Sequence, residues 1–210
     1  MKSAAVALII GLGFLACAQK RTESLPPQDV HFSVDSSLIA APIIDTALGV
    51  GFSPPKGWRA LSPNLLRNAQ RTAIRSLRES RLESPEGTPQ ILYAWTDTLS
   101  GSVITVARFP GFDARDSSTT LREFERYHRS AAPRADVKGA VFYSNDFKVH
   151  QLLASDDQSV LFKMVFSATQ LKCPVEFDFA VPKALYPQFI KTIESVAGSV
   201  EIYPINKPTN

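Results

Sequence analysis

The sequence predicts an α+β fold: an antiparallel sheet of about six strands, packed with three helices as an α/β/α sandwich. Three observations support this prediction. Short apolar runs and stretches of helical periodicity follow one another as strand, helix, two strands, helix, three or four strands, helix. Short polar turns join neighbouring strands, as antiparallel pairing allows. The 210 residues, 44% hydrophobic and 20% charged, have the composition of an ordinary globular chain.

The first predicted strand and helix lie on either side of a proline-rich turn. Leu48–Phe52 is a short apolar run that ends at the prolines after Ser53. Ser62 and Pro63 then open a helix that is predicted to reach about Leu82. Serine accepts a hydrogen bond from a free helical N–H, and proline loses none at the first position. Its apolar face is Leu66, Ala69, Ala73, Ile74 and Leu77.

The middle of the chain predicts a hairpin and a second helix. The two strands are Ile91–Trp95 and Val103–Phe109, joined by the turn residues 96–101. The helix begins at Thr120, with Glu123 completing a capping box, and ends before Pro133.

The last third predicts a run of strands and a closing helix. The strands are Val137–Tyr143, Phe147–Ala154, Val160–Ser167 and Val175–Val181, and the helix is Lys183–Val196. Asn145-Asp146 and Asp156-Asp157 are turn residues between strands. In the last strand Glu176 and Asp178 share one face, which we expect to be solvated, with Lys148 or Lys163 as cross-strand partners.

Two short motifs resemble the Mog1/PsbP-like group. After the first strand comes Pro55-Lys56-Gly57-Trp58, and the closing helix ends in a Ser-Val-x-x-Ser run at 195–199. The resemblance covers about Leu48 to Val200. It implies an α+β fold and a role in assembly or binding rather than catalysis, as in similar bacterial lipoproteins. It carries no set of functional residues over to this sequence.

The N-terminus has the order of a secretory signal. A short basic start at Lys2 precedes the apolar run Ala4–Ala16, and Cys17 follows. Phe14-Leu15-Ala16-Cys17 resembles a bacterial lipobox, so residues 1–17 are predicted to be a signal peptide whose terminal cysteine is lipidated. A competing small-residue cleavage site ends at Ala18. The apolar run is too short to span a bilayer, so attachment to a membrane depends on lipid.

The signal predicts where the protein acts and how the chain is divided. We expect an exported protein, anchored by lipid to the cell envelope and facing the periplasm from the outer membrane, because Ala18 is not an inner-membrane retention aspartate. Residues 18–37 are predicted to be a flexible tether, 38–203 a single globular domain and 204–210 a C-terminal tail.

The predicted first helix carries an unusual row of arginines, here called the arginine stripe. Its members are Arg67, Arg71, Arg75, Arg78 and Arg81. Steps of three and four residues place them within an arc of about 120°. Glu79 is the one acid within residues 64–82. The stripe is a candidate contact for lipid headgroups, an acidic protein or an anionic glycan; the alternative is a solvated face whose charges are met by acids such as Glu83 or Glu86.

No residue pattern predicts catalysis, a metal site or a cofactor. His31, His128 and His150 lack metal-ligand spacing and are expected to be structural. Cys173 is expected to be a buried, unreactive thiol. A Gly-x-Ser-x-Gly nucleophile elbow is absent, and Gly51-Phe52-Ser53-Pro54 fails at proline. The protein is therefore predicted not to be an enzyme, and export disfavours nucleic acid as a partner.

The leading hypothesis is a lipid-anchored binding or scaffolding protein of the bacterial cell envelope. Its partners would be the membrane, through the N-terminal lipid, and an envelope protein or an anionic surface. One alternative is a periplasmic carrier of a small apolar ligand, in a pocket lined by Trp58, Trp95, Phe162 and Phe166. A divergent hydrolase is the third hypothesis.

Overall fold

The computed structural model describes residues 28–79, 89–112 and 134–203, with the separate positions 119, 122, 123, 125, 126 and 129. Side chains of residues 73–79 are outside the description. The predicted signal peptide at 1–17, the tail at 204–210 and Arg81 also lie outside the described residues.

The described residues contain eleven strands and two α-helices with stated bounds. The elements are β1 Gln28–Asp29, β2 Ile43–Asp45, β3 Val50–Phe52, β4 Arg59–Ala60, α1 Pro63–Glu79, β5 Gln90–Thr96, β6 Val103–Arg108, β7 Asp136–Ser144, β8 Phe147–Ser155, β9 Ser159–Ser167, β10 Val175–Pro182, α2 Tyr186–Gly198 and β11 Glu201–Ile202. A 3₁₀ turn at Lys183–Leu185 leads into α2, so only part of the helix predicted from Lys183 is α-helical.

The strands form two sheets. The main sheet has eight strands in the order β1-β7-β8-β9-β10-β6-β5-β4, and a small sheet has the order β11-β3-β2. All pairs are antiparallel except β1 with β7. The α+β class and the antiparallel pairing are therefore confirmed. The expected six strands were too few, because strands of two or three residues such as β1 and β4 are too short to leave an alternating pattern.

The prediction of three helices also differs from the structure. In the part of the chain that is described, only α1 and α2 have complete bounds. The separate positions between 119 and 129 are helical, but most of the helix predicted from Thr120, including His128, lies outside the described residues.

The main core lies on one face of the large sheet. β10 contributes Phe177, whose ring centroid is 5.4 Å from Phe52 of the small sheet and 5.4 Å from Phe166 of β9. Ile193 and Val196 of α2 belong to the same buried cluster. This layer therefore combines a helix with a small sheet, whereas the predicted α/β/α sandwich has only helices in its outer layers.

Residues 28–37 belong to the fold and not to a tether. Val30 N–H donates to Tyr143 O at 2.8 Å as β1 pairs with β7, and Phe32 packs edge-on against Phe142. The Asp35 N–H donates to Ser195 Oγ at 3.0 Å. The predicted boundary at residue 37 was wrong because this polar-looking stretch is fixed by contacts with residues more than 100 positions away.

Local signals for turns and helix starts are confirmed. Ser62 Oγ accepts from Leu65 N–H at 3.4 Å, and Ser62 O accepts from Leu66 N–H at 2.9 Å, so this serine begins α1. Asn145 and Asp146 both have positive φ, 48° and 67°, in the two-residue turn between β7 and β8. Asparagine and aspartate tolerate this left-handed conformation better than most residues.

Candidate functional site

The arginine stripe is oriented by the contacts of α1 with the sheet. Gln70 Nε2 donates to Pro89 O at 2.9 Å, and its Oε1 accepts from Ile91 N–H at 2.6 Å. These bonds fix the rotation of α1 beside β5. Arg67 and Arg71 are exposed on the helix surface, whereas Gln70 is half-buried.

The two stripe arginines whose side chains are described donate hydrogen bonds to uncharged asparagines. Arg67 donates to Asn64 Oδ1, and Arg71 donates to Asn68 Oδ1 at 2.5 Å. No ion pair to either guanidinium occurs among the described residues. Helical periodicity places positions 75 and 78 on the same side of α1. The structure thus brings the first two members together on an exposed face; the acids proposed to neutralise them, Glu83 and Glu86, lie outside the described residues.

A second polar constellation lies on the face of the large sheet opposite the main core. Lys163 Nζ is 2.7 Å from Glu176 Oε1 and 2.8 Å from Asp178 Oδ2. Lys163 and Asp178 are register partners on β9 and β10. Pairing with Lys163 is as expected, but Glu176 is only 3% exposed, so the prediction of a solvated face was wrong. We call these three residues the ionic cluster.

The ionic cluster contains two carboxyl groups and one ammonium group. Burial and the neighbouring Asp178 carboxylate raise the pKa of Glu176 to about 8, although Lys163 acts in the opposite direction. Burial by itself lowers the pKa of Lys163, but the attraction of the two carboxylates outweighs it and raises that pKa above its ordinary value. Glu176 Oε2 and Asp178 Oδ1 have no hydrogen-bond partner within the described chain. Burying these polar groups costs free energy of folding, and the interactions of both carboxyl groups with Lys163 offset that cost.

His150 lies in the next row of the same face. It pairs with Val165 across β8 and β9, and the Phe112 ring packs edge-on at 4.9 Å. The side chain is buried, and within the described chain neither ring nitrogen has a hydrogen-bond partner. Burial, with a smaller contribution from Lys148, lowers the pKa of His150 to about 4. His150 was expected to be a structural histidine with its hydrogen bonds made. Within the described chain, however, its two ring nitrogens make no hydrogen bond.

We predict that His150 makes the fold sensitive to acid. The pKa of His150 is lower in the folded chain than in the unfolded chain, so the unfolded chain takes up a proton at a higher pH. The contribution of neutral His150 to the free energy of unfolding is therefore complete above pH 6.5 and is lost as the pH falls through about 4. His150→Leu should therefore gain about 2–3 kcal/mol in unfolding free energy relative to the wild type between pH 7 and pH 4. Urea titrations at several pH values measure this difference. Leu99→Ala, at a position that is 95% exposed, removes no titratable group and should stay parallel to the wild type. A His150→Leu profile parallel to the wild type would refute the assignment.

An open groove of about 970 Å³ lies at the end of the large sheet where the β9–β10 loop and the segment after β6 meet. Its lining residues are Pro110, Gly111, Phe112, Tyr143, Asp146, Lys148, Ser167, Ala168, Thr169, Gln170, Leu171, Lys172, Cys173 and Pro174. Cys173 is a free, half-buried thiol, and burial raises its pKa. Cys173 was predicted to be buried and unreactive; it is only half-buried, and its raised pKa disfavours the nucleophilic thiolate form.

The residues predicted to line a carrier pocket are packed against other rings. Trp58 lies edge-on to Phe189, Trp95 stacks on Tyr93 at 5.8 Å, and Phe162 contacts Phe179. Phe166 is in the main core. None of the four is among the residues that line the groove described above.

Neither a metal site nor a membrane-spanning helix is found in the described part of the chain. There, no group of three histidine, cysteine or acidic side chains has the arrangement of a metal site. In the same residues, neither helix combines the length and apolar character that crossing a membrane requires.

Comparison with known proteins gives likenesses of structure only. LpqN of Mycobacterium tuberculosis, described as involved in cell envelope biogenesis, is similar over 78% of this chain and 90% of its own, with 12% identity and a TM-score of 0.46. The Ran-binding protein Mog1p of Saccharomyces cerevisiae is similar over 74% of this chain and 91% of its own, with 9% identity and a TM-score of 0.45. No family model and no curated protein matches the chain.

Mog1p has the name of the group that the sequence resembles.

Proposed function

We propose that this chain is an exported, lipid-anchored binding or scaffolding protein of the bacterial cell envelope, without catalytic activity. The observation that carries the proposal is the N-terminal order of Lys2, an apolar run over 4–16 and Cys17. A thioether-linked diacyl group and an N-acyl group on Cys17 would supply the two or more chains that stable anchoring needs. The finer proposal is attachment to the outer membrane, facing the periplasm.

The position of β1 is compatible with a membrane-held domain. The described fold begins at Gln28, so residues 18–27 would separate the lipid from the domain. Ten residues span at most about 36 Å when fully extended. The domain would therefore remain close to the bilayer surface, where it can contact lipids and other envelope proteins.

The exposed part of the arginine stripe supports a binding role. Arg67 and Arg71 lie on one solvent-facing side of α1, and their described partners are the uncharged Asn64 and Asn68. Several guanidinium donors therefore remain for an anionic partner. Ligand carriage has less support, because the four aromatic residues proposed for it are packed against other rings.

We expect Cys17 to be the site of acylation. Cells expressing the wild-type chain and fed radiolabelled palmitate should yield a labelled protein in the membrane fraction. Cys17→Ser should lose the label and leave the membrane fraction, because the Cys17 thiol is the group that would carry the diacyl chain. Cys173→Ser is the matched control, since it removes the other cysteine of the chain and should keep the label. Label retained by Cys17→Ser, or absent from the wild type, would contradict the proposal.

A further inference from the structure

We propose that a polar cavity at the β1 edge of the large sheet is a binding site for a guanidinium group, carried by an arginine side chain of a partner or by a small guanidinium compound. The cavity, of about 470 Å³, lies where β1 passes the turn between β7 and β8. Its lining residues are Asp29, His31, Tyr143, Ser144, Asn145 and Asp146. The inference goes beyond the proposed function, because it depends neither on acylation at Cys17 nor on the arginine stripe.

Two aspartates in this cavity have unpaired carboxylates. Within the described chain, the side chains of Asp29 and Asp146 form neither a hydrogen bond nor an ion pair. Most other described aspartates have such a partner: Asp35, Asp45, Asp97, Asp136, Asp156 and Asp178. Two negative charges that line one cavity repel each other and attract a cation.

A buried hydroxyl is a second, independent feature of the cavity. Ser144 is 4% exposed and lines the same cavity, and its Oγ has no hydrogen-bond partner within the described chain. A buried polar group without a partner costs free energy, so native structures leave few of them unsatisfied. A donor that enters the cavity would supply the partner that Ser144 lacks.

Hydrogen bonds hold both walls of the cavity in place. Val30 N–H donates to Tyr143 O at 2.8 Å, which keeps the neighbouring Asp29 beside β7. Asn145 Nδ2 donates to Gly198 O at 3.2 Å, which fixes the turn and leaves Asn145 Oδ1 as an acceptor. A site that is held before its ligand arrives loses little conformational entropy on binding.

The lining favours a guanidinium over a metal ion. No three histidine, cysteine or acidic side chains in the described part of the chain converge as metal ligands. The volume of about 470 Å³ lies within the range of sites for organic ligands. Tyr143 is 42% exposed, and aromatic rings attract guanidinium groups. The five N–H donors of a guanidinium can be shared among the carboxylate, amide and hydroxyl oxygens of the lining.

A titration followed by amide NMR tests this inference. The mature chain from residue 17, carrying Cys17→Ser so that it stays free of lipid, contains all the residues described from 28 to 203. N-acetyl-arginine amide should shift the amide resonances of residues 143–146, and its uncharged isostere N-acetyl-citrulline amide should not. Asp29→Asn and Asp146→Asn should each weaken binding about two- to five-fold, as loss of one exposed ion pair does. Asparagine also tolerates the positive φ of 67° at position 146.

Two further variants make the test specific. Asp157→Asn is the matched control and should bind as the wild type does, because Asp157 is an exposed aspartate in the turn at the opposite end of β8. Ser144→Ala should weaken binding without lowering the unfolding free energy of the free protein, because the hydroxyl that it removes has no partner there. Equal shifts with the arginine and citrulline probes, or equal losses in Asp157→Asn and the cavity variants, would overturn the proposal. Calcium chloride that shifts the same resonances at lower concentration than the arginine probe would also overturn it, since the ligand would then be a metal ion.

A peptide identifies the source of the guanidinium. The cavity and the larger groove share Tyr143 and Asp146, so residues that flank an arginine can lie in the groove. If a short peptide with a central arginine, flanked by glycine and serine, binds markedly more tightly than the capped amino acid, the source is a polypeptide; equal binding indicates a small guanidinium compound. Palmitate labelling of Cys17 is independent of all these outcomes, so failure here leaves the proposed lipid anchor standing.

Discussion

Replacing Lys163 by methionine should destabilise the protein by about 3–5 kcal/mol, since Glu176 and Asp178 would lose the cation and the hydrogen-bond donor that both of them share. Lys163 is the one described cation within salt-bridge distance of both Glu176 and Asp178. Its loss leaves two carboxyl groups on one sheet face, and one of them, Glu176, is almost completely buried. The melting temperature should fall by roughly 10 °C for a domain of this size, which differential scanning calorimetry would measure.

Two variants separate this desolvation effect from simple loss of a charge. Lys138→Met removes a lysine from a surface pair with Asp136, whose side chains are 73% and 66% exposed, and should cost at most about 1 kcal/mol. The double variant Lys163→Met with Glu176→Met should recover most of the loss, because apolar groups can replace a buried ion pair. Asp178, with a side chain 24% exposed, keeps access to water in that variant. If Lys163→Met proves no more harmful than Lys138→Met, the ionic cluster is not desolvated as the structure describes.

Phe177→Ala should have an effect of similar size, a loss of about 3–5 kcal/mol. Phe177 is completely buried in β10 and lies edge-on to both Phe52 and Phe166. Truncation removes the ring that joins the small sheet to the large one. The cavity that it leaves lies between the two layers, which cannot move together far enough to fill it. Urea denaturation should show a lower midpoint with an unchanged slope if the fold is otherwise preserved.

Two further variants test whether the loss in Phe177→Ala comes from the size and the burial of the ring that is removed. Phe177→Leu keeps most of the apolar volume and should lose markedly less than the alanine variant. Leu99→Ala, at a turn position that is 95% exposed, should change the unfolding free energy by less than about 0.5 kcal/mol. A Phe177→Ala loss as small as that of Leu99→Ala would mean that the contact between the two sheets does not stabilise the fold.

The sequence determined the features that depend on neighbours along the chain. The start of α1 at Ser62 and Pro63, the turn at Asn145 and Asp146, and the alternation in β10 each follow from a few adjacent residues. The long strands are predictable because period-two alternation over seven to nine residues is a clear signal. The arginine stripe is also a local pattern, and the structure places its first two members where helical spacing predicts.

Tertiary structure decided the features that depend on distant residues. β1 and the residues that follow it look like a polar linker, and only pairing with β7 and the bond to Ser195 make them part of the domain. The burial of the ionic cluster also depends on residues that are distant in the sequence. Alternation put Glu176 and Asp178 on one face, but nothing local indicates whether a sheet face is covered, and burial depends on what the rest of the chain packs against it. Since burial sets the charge state of Glu176 and His150, their electrostatics could not be predicted from the sequence.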